Sequence, residues 1–292
     1  MIKEISSQYK ADLLLLSVAI AWGVTFLLVQ EAIDSTPVYS FLFFRFGVAS
    51  ILMFFIAYKS FKYISAKTIL YGFILGSLLF AAFATQTFGL LYTKSSIVAF
   101  ITGLNVICVP FFAYFIFRDK IRKNVIIATI VAAFGLYLLT MSGVLTIGKG
   151  EFFTLICAVL FALQIIYTGK FSKEVNVFLL VFFQLLTVSI LSLMFSLYFD
   201  KTTFLLEYDT VFFKAVLITA IFATVYAFLI QTYMQQFTTA TKTAIIFTME
   251  PVSAAIFAYI TVSEILTQTQ VIGAILIVTA TLIAEIRIKN KN

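Results

Sequence analysis

Histidine is missing from the 292 residues, tryptophan occurs once, cysteine twice and proline three times. Without imidazole no Cys/His cluster can hold zinc, and a carboxylate is the natural proton carrier. Cys108 and Cys157 each stand inside an apolar run, where a disulfide has little to staple, and both read as small core hydrophobes. Charge is equally scarce: 11% of the side chains are charged, against about a quarter in a soluble domain, which excludes an ordinary soluble globule. There is no H-E-x-x-H, no G-x-x-x-x-G-K-[ST] and no aspartate pair in facing runs. Metalloprotease and nucleotide-driven pump chemistry therefore have no residues to work with. The expectation is a protein that is not an enzyme and has no cofactor and no metal.

Apolar side chains are abundant, at 62% with a mean hydropathy of +1.10. A bilayer core of about 30 Å takes about 20 helical residues per crossing, so ten crossings consume roughly 200 residues. The apolar runs lie at 11–30, 37–57, 68–91, 95–117 and 125–141, then at 152–168, 177–199, 211–233, 240–261 and 270–286. The predicted fold class is an all-α integral membrane protein of ten transmembrane helices. The first run carries Ala19-Ile20-Ala21, which looks like a signal-peptide cleavage site, but it continues apolar to Val29 and reads as a mature span.

The net charge of +7 and the pI of about 9.3 are compatible with nucleic acid or with an anionic membrane face, and placement decides between them. With the N-terminus in the cytoplasm, inner segments hold 15 of the 20 basic residues and outer ones hold four, Lys94, Lys149, Lys201 and Lys214; Arg45 falls inside a span. Lysine and arginine collect on the cytoplasmic side of a membrane. Both termini are therefore expected in the cytoplasm at the cell membrane, with lipid rather than nucleic acid as the partner of the positive charge. The joint at residues 200–209, three acids against one lysine, reads as a solvated outer loop.

The chain repeats itself. A displacement of 139 sets Phe43-Phe44-Arg45 and Ser50-Ile51-Leu52 on Phe182-Phe183-Gln184 and Ser189-Ile190-Leu191, and Trp22 on Phe161. A displacement of 145 sets Gln86-Thr87 on Gln231-Thr232, Asn105 on Glu250, Phe112-Ala113-Tyr114 on Phe257-Ala258-Tyr259, and Asp119 on Glu264. Five spans per half is an odd number, so the halves, 11–141 and 151–286, are expected to be inverted relative to each other. Inverted repeats are a signature of secondary transporters whose site lies near the bilayer midplane.

Several of these residues carry a likeness. Ala21-Trp22-Gly23, Arg45-Phe46, Lys94-Ser95-Ser96 with Pro110, and Glu250-Pro251 followed by Glu264 resemble the EamA branch of the drug/metabolite transporter superfamily, over residues 11–286. The resemblance implies a ten-helix inverted-repeat carrier with both termini inside, moving small metabolites by alternating access, often outward. Pro110 lies nine residues before Asp119 and Pro251 thirteen before Glu264, so the two halves are expected to break their helices one turn apart.

Ionisable groups at membrane depth cost a few kcal/mol and mark functional sites by default. Arg45, about eight residues or roughly 12 Å inside its run, reads either as a fixed cation for a substrate carboxylate or phosphate, or as a structural arginine neutralised by another helix or snorkelling to water. Glu250, just before Pro251, is a proton-coupling or amine-binding group, or simply the partner of Arg45. Gln86, Asn105, Gln164, Gln184 and Gln231 fall near mid-span; amides donate and accept at once, which suits cargo recognition as well as bonding between helices. Trp22 and Tyr226 can stack on a ring-bearing substrate or simply pack. Lys242 and Glu285 read as rim residues. Gly72, Gly76, Gly135 and Gly273 let helices approach and slide. The leading function is a carrier exporting a small organic metabolite; the alternative is a lipid or polyprenyl-sugar flippase. A passive channel lacks a ring of like charges. Cargo identity, coupling ion and oligomeric state stay open in the sequence.

Overall fold

In a computed structural model the chain is described over residues 2–93, 95–118, 121–140, 148–201, 208–262 and 267–285. The described residues form helices and turns, with no strand among them. The helices are α1 (Ile2–Ile33), α2 (Val38–Ala57), α3 (Ala66–Tyr92), α4 (Ser95–Gly103), α5 (Asn105–Phe117), α6 (Lys123–Thr140), α7 (Lys149–Phe171), α8 (Val177–Phe195), α9 (Thr210–Ala220), α10 (Ala227–Met234), α11 (Ala240–Phe247), α12 (Met249–Val262) and α13 (Gln268–Glu285). A π-helical turn, Ile221–Tyr226, joins α9 to α10.

Several starts are fixed by short polar side chains that accept from otherwise orphaned amides. Ser65 accepts from the Thr68 N–H of α3, Asn176 from Leu179 of α8, Asp209 from Phe212 of α9 and Thr239 from Lys242 of α11. The acids of the joint at 200–209 are thus partly structural. Asp209 is a cap, and Asp200 accepts from the Ser40 N–H and hydroxyl, each at 2.8 Å, tying the end of the α8 segment to the start of α2. Glu207, the third acid, lies outside the described residues.

Seven helical segments are long and apolar enough to cross a bilayer, and Lys123–Leu139 and Gln268–Ala284 are shorter apolar helices. The run at 240–261 is no single helix: it is broken at Thr248 into α11 and α12. The run at 95–117 is broken at Leu104 into α4 and α5. These breaks are 144 residues apart, one short of the repeat displacement, so they match far better than the one-turn offset expected from the prolines. Pro251 has no N–H for the Phe247 carbonyl, which frees the chain at Thr248. Pro110 is carried within α5, and the chain instead breaks beside Gly103.

Packing follows the small residues. α2 lies against α8, α3 against α7 and α8, α6 against α13, and α1 against α12. A Cβ on Gly273 would meet the Leu139 backbone nitrogen and come within 2.7 Å of the Gly135 carbonyl oxygen, so α6 and α13 touch backbone to backbone there. Gly72 and Gly76 of α3 are likewise filled by Phe183, Gln184 and Thr187 of α8. Outward faces carry Phe55, Phe73, Phe115, Ile130, Phe222 and Ile275, all exposed, as a surface solvated by lipid requires. Gly273→Leu is expected to separate α6 from α13. Overpacking costs about 1–3 kcal/mol and more where backbone cannot yield, so the variant should lower the thermal midpoint in detergent, whereas Gly47→Ala, whose nearest contact is 3.5 Å, should not.

Candidate functional site

A cavity with about 680 Å³ of empty space, counting the part open to solvent, lies between α1, α2, α3, α4, α5, α7, α10, α11 and α12. Seven of the residues singled out from the sequence line it: Trp22, Arg45, Gln86, Asn105, Gln164, Gln231 and Glu250. Phe26, Phe83, Phe161 and Phe247 form its apolar wall, and Thr25, Thr87 and Thr102 add hydroxyls. Asn105 is the first residue of α5 and Glu250 the second of α12, so both stand where a helix begins in mid-run. The partial positive charge of a helix start faces the same space.

Arg45 is 3% exposed. Its Nε donates to Thr224 Oγ1 at 2.9 Å, its Nη2 to the Ala223 carbonyl at 3.4 Å, and its guanidinium lies 4.7 Å from the Phe83 ring centroid and 5.3 Å from that of Phe46. The π-helical turn makes this possible. Its widened register lets Thr224 Oγ1 donate five residues back to the Thr219 carbonyl at 2.9 Å, while the Ala223 carbonyl also receives Trp22 Nε1 at 2.9 Å. Such turns are frequent at functional sites. Neutral acceptors and aromatic faces thus hold the cation, and no carboxylate of the described residues lies within 4 Å of it. Arg45 and Glu250 share the cavity wall without pairing.

The amides form a chain. Gln231 Nε2 donates to Gln164 Oε1 at 3.1 Å and to Gln235 Oε1 at 3.4 Å; Gln164 Nε2 donates to Thr168 at 3.0 Å and Gln235 Nε2 to the Ile165 carbonyl at 3.1 Å. Gln86 Nε2 donates to Thr102 Oγ1 at 3.3 Å. Two expected residues lie elsewhere. Gln184 is fully buried against Gly72 and Gly76 of α3, with no hydrogen-bond partner for its amide. Tyr226 points away into a bond of 2.6 Å between its hydroxyl and Ser17. Gly23 brings α1 onto α12: a Cβ there would collide with Ser253 Oγ and reach the Glu250 carbonyl at 2.5 Å.

Lys242 is no rim residue. It is 1% exposed, and its Nζ lies 2.6 Å from Asp12 Oδ2 of α1. Leu15, Val18 and Ala244, close to the pair in sequence, belong to a buried apolar cluster, and neither partner lines the cavity. Cys108 and Cys157 are free thiols. Among the described residues no three His, Cys, Asp or Glu side chains gather as a metal site. Lys94, Asp119 and Glu264 and the side chains of Ser95, Ser96 and Glu285 lie outside the described residues.

One solved crystal structure of a protein superposes on 97% of this chain and 99% of its own, with a TM-score of 0.81 at 14% sequence identity; that likeness speaks to the fold. An "uncharacterized transporter" from Archaeoglobus fulgidus is 33% identical over 278 residues, 95% of this chain and 86% of its own. The model of the EamA-like transporter family matches residues 9–141 and again residues 148–285. With its apolar helices and two family matches across nearly its whole length, the chain is a multi-pass membrane protein that belongs to the EamA-like transporter family.

Proposed function

We propose that the chain is a ten-span secondary carrier of two inverted five-helix repeats, about residues 11–141 and 151–286, that exports a small organic metabolite across the cytoplasmic membrane by alternating access. The observation that carries this reading is the convergence of repeat partners on one cavity. Trp22 and Phe161, Gln86 and Gln231, and Asn105 and Glu250 all line it. The packing supports a dyad: α2 meets α8 and α6 meets α13, while the contacts of α3 and α5 with α7 have counterparts in those of α10 and α12 with α1. Asn124 at the start of α6 donates to the Ile283 carbonyl of α13 at 3.1 Å, which supports an even number of crossings and termini on one side, the cytoplasmic one by the charge count.

In this reading Arg45 holds an oxyanion of the cargo, the amides orient it, the rings cover its apolar part, and Glu250 carries the coupling proton. The residues that keep Arg45 in place are neutral, so its charge is available to cargo. Export draws on an ion gradient because the sequence holds no nucleotide-binding motif.

Purified protein in liposomes tests this. An imposed proton gradient should drive accumulation of at least one compound from a panel of amino acids, nucleobases and cationic amphiphiles. Glu250→Gln should remove gradient-driven accumulation while exchange of the same compound down its gradient continues. Accumulation indifferent to pH would remove Glu250 as the coupling group, and no movement of any compound with the native chain would count against the carrier.

A further inference from the structure

We infer that the chain has a second binding site, outside the central cavity, for an oxyanion: a carboxylate or phosphate group received in a basic vestibule at the start of α11. The vestibule has about 1390 Å³ of empty space, counting the part open to solvent, and is lined from the ends of α5 and α7 and the starts of α6 and α11. Arg122, Lys170 and Lys173 line it, with Glu174 as the one acid among the described residues of its wall.

Glu174 is already committed. Its Oε2 lies 2.7 Å from Lys67 Nζ and accepts from the Tyr71 hydroxyl at 2.8 Å. The bond from Lys67, then that from Tyr71, holds its carboxyl below the usual carboxylate range, so it remains ionised and turned to α3. Lys170 lies 4.1 Å from the Phe117 ring centroid. Among the described residues Arg122, Lys170 and Lys173 have no carboxylate within 4 Å. Three cations therefore line one space, and the acid beside them is bonded to Lys67 and Tyr71 and feels Lys170 only as a longer-range charge.

The floor of that space is a helix start. Thr238, Thr239, Ala240 and Thr241 line it, and the first amides of α11 bring the positive end of the helix there. Thr239 Oγ1 is used as the cap, accepting from the Lys242 N–H at 3.3 Å. Thr238 is not used: it is 7% exposed, it lines the vestibule, and its hydroxyl has no hydrogen-bond partner. A buried hydroxyl without a partner costs free energy, and an oxyanion in the vestibule would supply the acceptor. Cations, helix start and free hydroxyl all ask for the same chemistry. Its source is either a soluble organic or inorganic anion, or the headgroup of an anionic lipid. This inference stands apart from the carrier reading, since binding here requires no transport.

Gly169 supplies a reporter. It lines the vestibule, and a Cβ there meets its nearest atoms at an ordinary 3.8 Å, so Gly169→Cys fits in a chain with Cys108→Ala and Cys157→Ala. Its reaction with N-ethylmaleimide is followed in phosphatidylcholine nanodiscs. Inorganic phosphate is expected to slow labelling about threefold against chloride at matched ionic strength, once phosphate reaches roughly twice its dissociation constant. Combining Arg122→Gln, Lys170→Gln and Lys173→Gln should abolish that protection and Thr238→Val should weaken it, whereas Lys59→Gln with Lys62→Gln should leave it intact. Protection by phosphatidylglycerol in the disc but not by free phosphate would assign the oxyanion to lipid. No protection in either arm, or protection that survives loss of the three cations, overturns the site. A native elution volume of each variant shows that the fold is kept.

Discussion

Lys242→Met alone is expected to cost about 3–5 kcal/mol of stability, the usual consequence of breaking a buried ion pair, and to lower the thermal midpoint by on the order of 10 °C. The contact is 2.6 Å long between side chains 1% and 10% exposed. Removing the ammonium takes the 2.6 Å partner from the buried Asp12 carboxylate, and Asp12→Asn takes the same partner from the ammonium. Replacing both, Asp12→Leu with Lys242→Met, should recover most of the loss, because breaking one side of a buried ion pair costs more than replacing both sides by apolar groups. The pair ties α1 to α11, so the double variant keeps its fold but loses a register mark between the two helices. Thermal unfolding in detergent measures all four chains. A single variant as stable as the native chain would mean that water reaches the pair.

Arg45→Gln is expected to reduce transport affinity by about 30-fold or more, since loss of one partner from a buried charged contact costs about 2 kcal/mol at least. Arg45→Lys should recover little. A lysine cannot reach Thr224 Oγ1 and the Ala223 carbonyl together while lying flat on the Phe83 ring, because the ammonium lacks the planar fork. Thr224→Val separates placement from charge: the guanidinium remains but loses its 2.9 Å acceptor, so the effect should be smaller than for Arg45→Gln. Concentration dependence of exchange in liposomes is the measurement. Unchanged exchange in Arg45→Gln would leave Arg45 a purely structural cation.

The residues that stood out in the sequence did so because a polar group inside an apolar run has little reason to be there unless it faces a partner or a cavity. That reasoning reached Arg45, Gln86, Asn105, Gln164, Gln231 and Glu250. Gln184 is buried away from the cavity lining, its backbone against the glycines of α3; an evenly apolar run carries no signal for which way a residue faces. Tyr226 is the last residue of the π-helical turn, whose widened register sets its side chain toward Ser17 rather than into the cavity. The cavity threonines were invisible because membrane helices tolerate threonine by bonding it to their own backbone, as Thr25 does to Ala21 and Thr87 to Phe83. Their pointer was the Gln86-Thr87 pair recurring as Gln231-Thr232.

Lys242 was misplaced by counting. Two residues from the edge of an apolar run looks shallow, but α11 is a half-helix tucked inside the bundle, and burial depends on what surrounds it. Asp12, near the start of the first run beside Lys10, drew no reading from the sequence, because a charge at the edge of a run carries no mark of burial. The helix breaks were legible in kind but not in place: proline marks where an N–H is lost, while the chain opens at the nearest position that can yield.

Trp22 is the one tryptophan of the chain, and it lines the central cavity, so its emission reports on that space without a label. The most direct test is to titrate a compound that the native chain transports into the purified protein while recording this emission. A single saturable change, matching the concentration dependence of transport and lost in Arg45→Gln, is the result expected if cargo is held between the halves at Trp22 and Arg45. A transported compound that saturates transport while leaving the emission of Trp22 unaltered would contradict it.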